Sequence, residues 1–447
     1  MTRIIIVGGG ISGLTVAYYL RGHPELDVTV LEAESRPGGK IWSEQVDGFL
    51  CERGPNGFLD NRPRTLQLCE GLGITPLRAN DNAKKRYILS GNILKSLPES
   101  PPTFFRSDIL SIWGRLRLLY EPFAPKGPDD ETVAEFVVRR LGREALEMLI
   151  DPMVSGIYAG DPYRLSIKSC FPRIKELEEE YGSLIKALIK IRKKKGNVSV
   201  APGGRLTSFV TGAQTLTDTL AETIGSCLKT GVRVNGIEDG NGLYHLYTSE
   251  GVFDAEIVVF ACPAYESARV FNGFDDEIAR ELLGIKYPPV TVVCFGYKKE
   301  RVGYPLNGFG FLIPHKEDKR ILGTLWDSSI FPNRAPEGYV LLRTMVGGAR
   351  LSEIAMLDDD RVIGTVFDEL KPILGLKGMP DMVRIYRWER AIPQYEMGHN
   401  GRLRRIGERL RLYNGIYLTG NAYRGIGMND CIEDGFRVAE DILSVKG

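Results

Sequence analysis

The sequence has few of the residues that build metal centres. Its 447 residues include four histidines and seven cysteines, and the cysteines are scattered at long spacings without a CxxC pair. No histidine lies near enough to another histidine or to a cysteine to form a recognisable zinc pattern. The composition therefore predicts no metal site, and the odd number of separated cysteines favours a reducing compartment.

The chain also lacks long apolar runs and an excess of charge of one sign. No run approaches the roughly 18 to 20 apolar residues of a membrane-spanning helix, and glycines interrupt the apolar segment 4–20, which argues against a signal peptide. The formal net charge is +1, so no overall field attracts nucleic acid. We expect a cytoplasmic protein without a nucleic-acid partner, in contact with the inner face of the cell membrane only peripherally, if at all.

The first glycines stand between a predicted strand and a predicted helix. Residues 3–7 are a β-branched run and residues 14–20 carry a helical pattern. Glycines spaced in this way bind dinucleotides, because they permit a tight turn, close approach of the backbone to a pyrophosphate, and close packing of helix on strand. Glu32 follows at the distance expected of an acid that accepts hydrogen bonds from a ribose. The predicted cradle consists of Gly8, Gly9, Gly10, Ile11, Ser12 and Gly13.

Two further glycine segments narrow the choice of cofactor, since the first segment alone does not distinguish FAD from NAD. Residues 36–40 read Arg-Pro-Gly-Gly-Lys, and residues 418–430 place several glycines just before the last predicted helix. Free backbone N–H groups there could face the edge of a flavin that gains negative charge on reduction. Together the segments resemble the flavin oxidase superfamily that contains amine oxidases and phytoene desaturases, which implies FAD.

The remaining pattern predicts an α/β fold with a discontinuous, Rossmann-like FAD-binding domain at 1–77, 200–265 and 385–447. A substrate-binding domain with a mixed or antiparallel sheet is predicted at 78–97 and 266–384. Residues 98–199 are predicted as an inserted helical subdomain, with helices at 109–120, 132–141, 144–153 and 182–191. Within that subdomain, residues 102–123 mix aromatics, leucines and arginines as a membrane-facing interfacial helix would, although a buried helix would look similar.

Several segments outside the superfamily glycines sharpen the resemblance. They are spread over nearly the whole chain and lie at 52–59, 155–161, 165–172, 392–399 and 429–433. In these segments the sequence is similar to the protoporphyrinogen oxidase family. The resemblance implies the six-electron oxidation of protoporphyrinogen IX to protoporphyrin IX in haem synthesis, by hydride transfer to flavin N5 and reoxidation by oxygen.

By the same resemblance, FAD contacts are expected beyond the first glycines. Trp388 belongs to this set because related oxidases often place a tryptophan against the flavin, although it would serve equally well as a core residue. The further FAD contacts are Glu32, Ala33, Gly38, Gly39, Lys40, Gly54, Pro55, Asn56, Gly57, Val234, Trp388, Ala391, Gly420, Ile426, Gly427 and Met428.

The resemblance also implies a tetrapyrrole site. Arg86 matches the position of a propionate-binding arginine, and a guanidinium can hold a carboxylate by two hydrogen bonds. The macrocycle is expected against Gly156, Phe309, Leu312 and Met345, with Met153 and Asn56 lining the same cavity. No general base is predicted, since no histidine matches such a role.

Three other functions are considered. A coproporphyrinogen III oxidase of the same family would need more cations for four propionates, and Arg62 and Lys84 could supply them. An amine oxidase would need an aromatic cage with a lysine-held water, and we find no segment that predicts one. A non-catalytic flavoprotein would be expected to lose glycines that are present here. Oxygen and quinone both stay open as electron acceptors.

Overall fold

A computed structural model describes residues 1–98, 103, 107–195 and 203–446. At its centre is a parallel five-stranded sheet built from both ends of the sequence. Ile4 and Ile6 of its middle strand pack on one face, and Ile5 and Val7 pack on the other, as expected of a strand covered on both sides. In spatial order the strands are Leu228–Thr230, Leu26–Glu32, Thr2–Val7, Ile257–Phe260 and Ile416–Leu418.

Helices cover both faces of the parallel sheet. One face carries Ile11–Leu20, Pro63–Gly71, Gln214–Ile224 and Met428–Lys446. The other face carries Ala264–Phe271, Asp276–Leu283 and His399–Leu410, together with a three-stranded antiparallel sheet of Val234–Asp239, Tyr244–Thr248 and Gly251–Ala255. The result is the doubly wound arrangement that places a nucleotide at the carboxyl ends of the strands.

A seven-stranded sheet forms the second layer of the molecule. All of its pairs are antiparallel except the one between Gly310–Leu312 and Tyr87–Ser90. One face packs on the helix Asp359–Leu374, and the other packs on the hairpin Ser43–Val46 and Phe49–Glu52. In spatial order the strands are Met382–Trp388, Val290–Lys298, Tyr339–Gly347, Gly323–Trp326, Gly310–Leu312, Tyr87–Ser90 and Ile93–Ser96.

The remaining short elements join these layers. A small sheet pairs Phe58–Leu59 and Leu77–Arg78 with Leu206–Ser208. Short helices and 3₁₀ turns lie at Asp81–Lys84, Gly225–Cys227, Lys299–Arg301, His315–Glu317, Asp327–Ile330 and Ser352–Ala355.

Residues 107–195 are mostly helical. The helices and turns are Ile112–Leu119, Glu121–Phe123, Val133–Arg140, Arg143–Ala145, Leu146–Ile150, Asp151–Tyr158, Ile167–Cys170, Pro172–Tyr181 and Leu184–Lys195. Arg140 is fully buried among them and pairs with Glu121 at 3.2 Å and Glu178 at 2.6 Å. In the described part of the chain, no helix has the length and apolar character needed to cross a membrane.

Several of the predicted boundaries differ from the structure. The helices predicted at 109–120 and 182–191 are Ile112–Leu119 and Leu184–Lys195, and the helix Asp276–Leu283, predicted within the substrate-binding domain, covers the parallel sheet. The single helix predicted at 144–153 is interrupted by a π-helical turn at Leu146–Ile150, and a new helix begins at Asp151, because Pro152 cannot donate a backbone hydrogen bond to the preceding turn. The strand Met382–Trp388 belongs to the seven-stranded sheet and crosses the predicted domain bound at residue 385. The division into three domains stays a prediction. Part of the aromatic segment predicted at 102–123 lies outside the described residues.

Candidate active site

The first glycine segment forms a turn that only glycine can adopt. Gly8 has a φ of 110°, in the region that side chains disfavour. A Cβ at Gly13 would lie 2.0 Å from the carbonyl oxygen of Gly8, so helix and strand approach each other as closely as the sequence predicts. A Cβ at Gly10 would meet no atom within 4 Å. The turn therefore leaves open space outside Gly10, at the start of the helix Ile11–Leu20.

Glu32 lies beside these glycines at the end of its strand. Its Oε2 accepts a 2.7 Å hydrogen bond from the backbone N–H of Gly9, and its Oε1 accepts one of 2.8 Å from Glu34. Each carboxylate oxygen keeps a lone pair for a further donor. Ala33 is the next residue in the chain. The N–H of Val232 donates to the Glu32 carbonyl at 2.9 Å, and Val234, two residues further on, is buried. The structure therefore brings this predicted group together.

The second glycine segment lies against the first. The N–H of Gly38 donates to the carbonyl of Gly9 at 2.7 Å, and Gly38 and Gly39 have φ angles of 100° and 57°. Next to them, Lys40 donates to the carbonyl of Arg390 at 2.6 Å and also bonds the carbonyl of Ala391. Burial without a carboxylate partner among the described residues lowers the pKa of Lys40 to about 8. Lys40 and Ala391, predicted from distant segments, are thus in contact.

The loop 54–57 rests on a buried network of charges that the sequence did not predict. Glu52 pairs with Arg334 at 3.2 Å, and Arg343 pairs with Asp327 at 3.1 Å and donates to the carbonyl of Gly54 at 2.8 Å. Asn56 donates to Asp327 at 3.0 Å. Burial raises the pKa values of both carboxyl groups, and the two arginines oppose that effect.

These charges escaped prediction because the arginines lie far from the loop in sequence: Arg334 is 282 positions from Glu52, and Arg343 is 289 positions from Gly54. Trp388 also supports the loop, since its indole N–H donates to the carbonyl of Arg53 at 2.8 Å. Trp388 is half-buried, so the indole both packs against the core and keeps a partly open face.

The third glycine segment sits at the start of the helix Met428–Lys446. A Cβ at Gly420, which has a φ of 125°, would meet no atom closer than 4.0 Å. The N–H of Gly427 donates to Asp430 at 3.2 Å, and burial raises the pKa of that carboxyl group. Ile426 is half-buried beside them. The segment thus combines open space at Gly420 with a helix amino terminus, which favours negative charge.

Tyr395 holds the third segment in place. Its hydroxyl accepts a 2.9 Å hydrogen bond from the N–H of Gly425 and donates one of 2.6 Å to the carbonyl of Asn421. Tyr395 belonged to a segment that carried the family resemblance, but this role was not predicted for it.

Two of the predicted substrate residues meet at one end of the strand Gly310–Leu312. The guanidinium of Arg86 lies 5.2 Å from the ring centroid of Phe309, within range of a cation–π interaction. Arg86 has no ion pair among the described residues. Its side chain is exposed to solvent, yet the surrounding protein atoms lower its guanidinium pKa by desolvation. Arg86 is therefore a solvent-facing cation that contacts an aromatic ring and has no carboxylate partner in the described part of the chain.

The other substrate residues lie toward the far end of that strand. A Cβ at Gly156 would lie 2.7 Å from Leu312 Cδ2, so the helix Asp151–Tyr158 packs closely on the strand. Met345 packs with Trp388 and Ala391 in one apolar cluster, which joins the predicted substrate and cofactor residues. Met153 is half-buried on the same helix as Gly156.

The two cations considered for a substrate with four propionates already have acidic partners. Arg62 lies 4.0 Å from Asp430, and Lys84 lies 3.1 Å from Asp81. Both side chains are more than half exposed, so these pairs are weak and do not fix the cations in place.

The doubly wound sheet and its three glycine segments are typical of a dinucleotide-binding protein. The chain belongs to the family of flavin-containing amine oxidoreductases, which it matches over residues 11–443. It is therefore a flavoprotein oxidoreductase, as the sequence predicts.

Known relatives resemble the chain over its whole length. It is 32% identical to coproporphyrinogen III oxidase of Bacillus subtilis, covering 99% of this chain and 98% of that one. It is 34% identical to the chloroplastic protoporphyrinogen oxidase of Oryza sativa, covering 98% of this chain and 87% of that one. One crystal structure is named as that of a provisionally assigned protoporphyrinogen oxidase from Exiguobacterium. It superposes on this chain with a TM-score of 0.85 at 27% identity, over 99% of this chain and 98% of that one.

Proposed function

We propose that this protein oxidises protoporphyrinogen IX to protoporphyrin IX, with FAD as its cofactor and oxygen as the electron acceptor. The names of its relatives support a porphyrinogen substrate. The single observation that best supports an anionic macrocycle is Arg86, a solvent-facing cation without an ion pair in the described part of the chain, beside the Phe309 ring.

The three glycine segments are suited to FAD. Gly10 and Gly420 have open space where a side chain would otherwise stand, and Glu32 keeps acceptor capacity for a ribose. Lys40 would add a positive charge close to the second glycine pair. When bound, FAD would supply the hydride-accepting chemistry that a six-electron oxidation of a porphyrinogen needs.

The protein's own residues would bind and orient the substrate. Arg86 would hold a propionate through two hydrogen bonds and so fix the rotation of the macrocycle. Phe309, Leu312 and Met345 would pack on its faces and exclude water from the carbon atoms that react. Gly156 lets the helix backbone approach Leu312 closely, and Leu312 would in turn pack on the ring. We assign no general base, and the pyrrole protons would leave to solvent.

Coproporphyrinogen III is the alternative substrate, and the relative from Bacillus subtilis favours it. Its four propionates would call for more cations than the two propionates of protoporphyrinogen IX. Arg62 and Lys84 are both more than half exposed and only weakly held by their carboxylate neighbours, so neither would be a fixed anchor for a propionate. Arg86 has no carboxylate partner among the described residues. This difference favours a substrate that needs one strong anchor.

A direct comparison of the two substrates tests the proposal. The purified protein should show the visible absorption of bound FAD and should produce porphyrin fluorescence in air from both porphyrinogens, with a higher kcat/KM for protoporphyrinogen IX. Higher kcat/KM for coproporphyrinogen III would overturn the substrate assignment. Samples without protein measure autoxidation, and an anaerobic sample with a soluble quinone tests whether oxygen is required.

We also propose that the helical region contacts a membrane surface. The helix Ile112–Leu119 and the turn after it expose large apolar side chains, among them Trp113 at 81%, Phe123 at 74% and Ile112 at 67%. Exposed apolar side chains on a helix that also carries arginines are typical of segments that lie in the lipid interface. The proposal is a cytoplasmic protein bound to the inner face of the cell membrane through this helix.

Sedimentation with vesicles of phosphatidylglycerol and phosphatidylcholine tests this contact. The double variant Trp113→Ser, Phe123→Ser should sediment less than the unmodified protein, because it has less apolar surface to bury in lipid. Leu412→Ser is the control, since Leu412 is 69% exposed on a different part of the surface. Equal sedimentation of all three proteins would contradict the proposal.

A further inference from the structure

Three segments that carry predicted substrate residues meet at one carboxylate. Asp151 begins the helix that carries Met153 and Gly156. Its Oδ2 accepts a 3.0 Å hydrogen bond from the N–H of His315, three residues after Leu312. Its Oδ1 pairs at 2.5 Å with Arg350, five residues after Met345. Asp151 therefore connects the helix to the ends of both neighbouring segments.

Arg350 also pairs with a second carboxylate, beyond the other end of this helix. Its second terminal nitrogen lies 2.8 Å from Asp161, three residues beyond the end of the helix Asp151–Tyr158. The Arg350 side chain is 15% exposed and the Asp151 side chain 6%, so solvent screens this pair far less than a surface ion pair. The planar guanidinium thus bridges two carboxylates, one at the start of the helix and one just beyond its end. A lysine, with a single point charge, could not hold both in this way.

The backbone around Arg350 is packed closely against that helix. The N–H of Ala349 donates to the carbonyl of Ala159 at 2.7 Å. A Cβ at Gly348 would lie 2.4 Å from the same carbonyl oxygen, so no side chain could stand there. These backbone contacts therefore fix the loop after Met345 close to the end of the helix. The two ion pairs of Arg350 also join this loop to the residue that begins the helix and to Asp161 beyond its end.

We propose that Arg350, Asp151 and Asp161 form a clamp that holds the helix carrying Gly156 against the segments carrying Leu312 and Met345, and so sets the shape of the surface that would bind the macrocycle. Arg350 acts as a positioning residue, since it touches the segments that would hold the macrocycle and not the macrocycle itself. This inference rests on the proposed function, because it assumes that these residues bind the porphyrinogen. The consequence is that the clamp contributes to the preference between the two porphyrinogens, which differ in the size and charge of their side chains.

The variant Arg350→Met tests the clamp, since it keeps a long side chain and removes both ion pairs. We expect kcat/KM to fall by about ten- to a hundredfold, mainly through KM, because small displacements of a binding wall have effects of that order. We also expect the ratio of kcat/KM for the two porphyrinogens to move toward one. Arg350→Lys should recover part of the preference, because lysine can pair with one of the two carboxylates.

Arg301→Met is the matched control. Arg301 also pairs with a carboxylate, that of Asp381, at 2.6 Å, and it bonds a backbone carbonyl. It lies just after Lys298, at the end of the strand Val290–Lys298, whereas Met345 pairs with Val292 near the start of that strand. A purely structural loss would lower both kcat/KM values equally in either variant. An unchanged preference in Arg350→Met, with FAD bound, would overturn the clamp.

Two further measurements keep the outcome decisive. If Arg350→Met does not fold, Asp161→Asn removes only one arm of the clamp at a side chain that is 21% exposed, and the same shift in preference is expected on a smaller scale. Binding of protoporphyrin IX, followed by fluorescence, reports on the binding surface without turnover. If the unmodified protein neither oxidises nor binds a porphyrin, the proposed function fails; if it does both and the variants match it, only the clamp fails.

Discussion

The rings of Tyr395 and His399 are stacked, with their centroids 4.2 Å apart and their planes 12° apart. Burial, together with the nearby charge of Arg402, lowers the pKa of His399 to about 4 from its usual 6.5. The same tyrosine holds the third glycine segment through Gly425. The stack therefore places a buried, neutral imidazole against a support of the predicted cofactor site.

The low pKa of His399 predicts a dependence of stability on pH. Between pH 6.5 and 4 the unfolded chain binds a proton at this residue and the folded chain does not, so the free energy of unfolding falls as the pH drops through this range. The full contribution is roughly 3 kcal/mol. In urea unfolding at pH 7.5 and pH 5, His399→Phe, which keeps an aromatic ring, should lose less stability than the unmodified protein. His23→Gln, at a histidine whose side chain is 40% exposed, should behave like the unmodified protein; equal losses in all three would rule out His399 as the source.

Gly13→Ala should remove the cofactor. The new Cβ would lie 2.0 Å from the backbone oxygen of Gly8, and neither segment can yield without opening the turn. Overpacking of this kind costs about 1–3 kcal/mol, and we expect the purified variant to lack the visible absorption of FAD. Gly22→Ala is the control, because a Cβ there would meet no atom within 4 Å. FAD retained by Gly13→Ala at the level of the control would argue against the predicted cradle.

Arg86→Ala should weaken binding of the porphyrinogen and leave the flavin spectrum unchanged. A hydrogen bond to a charged group contributes about 1.5–3 kcal/mol, so KM should rise about tenfold or more. The adjacent exposed Lys85 offers a control for a general loss of positive charge. Steady-state kinetics of Arg86→Ala and Lys85→Ala separate the two effects. An unaltered KM in Arg86→Ala would remove Arg86 from the site.

Gly156→Ala should raise KM with little loss of stability. The new Cβ would lie 2.7 Å from the flexible end of Leu312, which can rotate away but only by changing the surface that it would present to the macrocycle. Residues in contact have coupled effects, so Leu312→Ala should relieve the strain, and the double variant should have a lower KM than additivity of the single variants predicts. Strictly additive changes in KM would show that the two residues do not share one binding wall.

The parts of the fold that the sequence predicts are those set by local patterns. The strand, glycine turn and helix at 2–20 follow from neighbouring residues, and so does the mixed or antiparallel sheet predicted within 266–384. The charge pairs beneath the site could not be predicted in this way. Arg334 and Glu52 are 282 positions apart, and Arg350 and Asp151 are 199 positions apart. Nothing in a local pattern marks such partners, because their burial depends on how distant segments pack.

The strands of the parallel sheet lie far apart in the sequence, and this has a consequence for folding during translation. Its middle strand, Thr2–Val7, is made first, yet its neighbour Ile257–Phe260 and the edge strand Ile416–Leu418 follow hundreds of residues later. A nascent chain therefore carries the first strands with one side unpaired until Ile257–Phe260 has been made, and such exposed edges invite aggregation. We infer that the nucleotide-binding half completes its folding only after the helix Met428–Lys446 has left the ribosome, and that chaperones have a long interval in which to act on it.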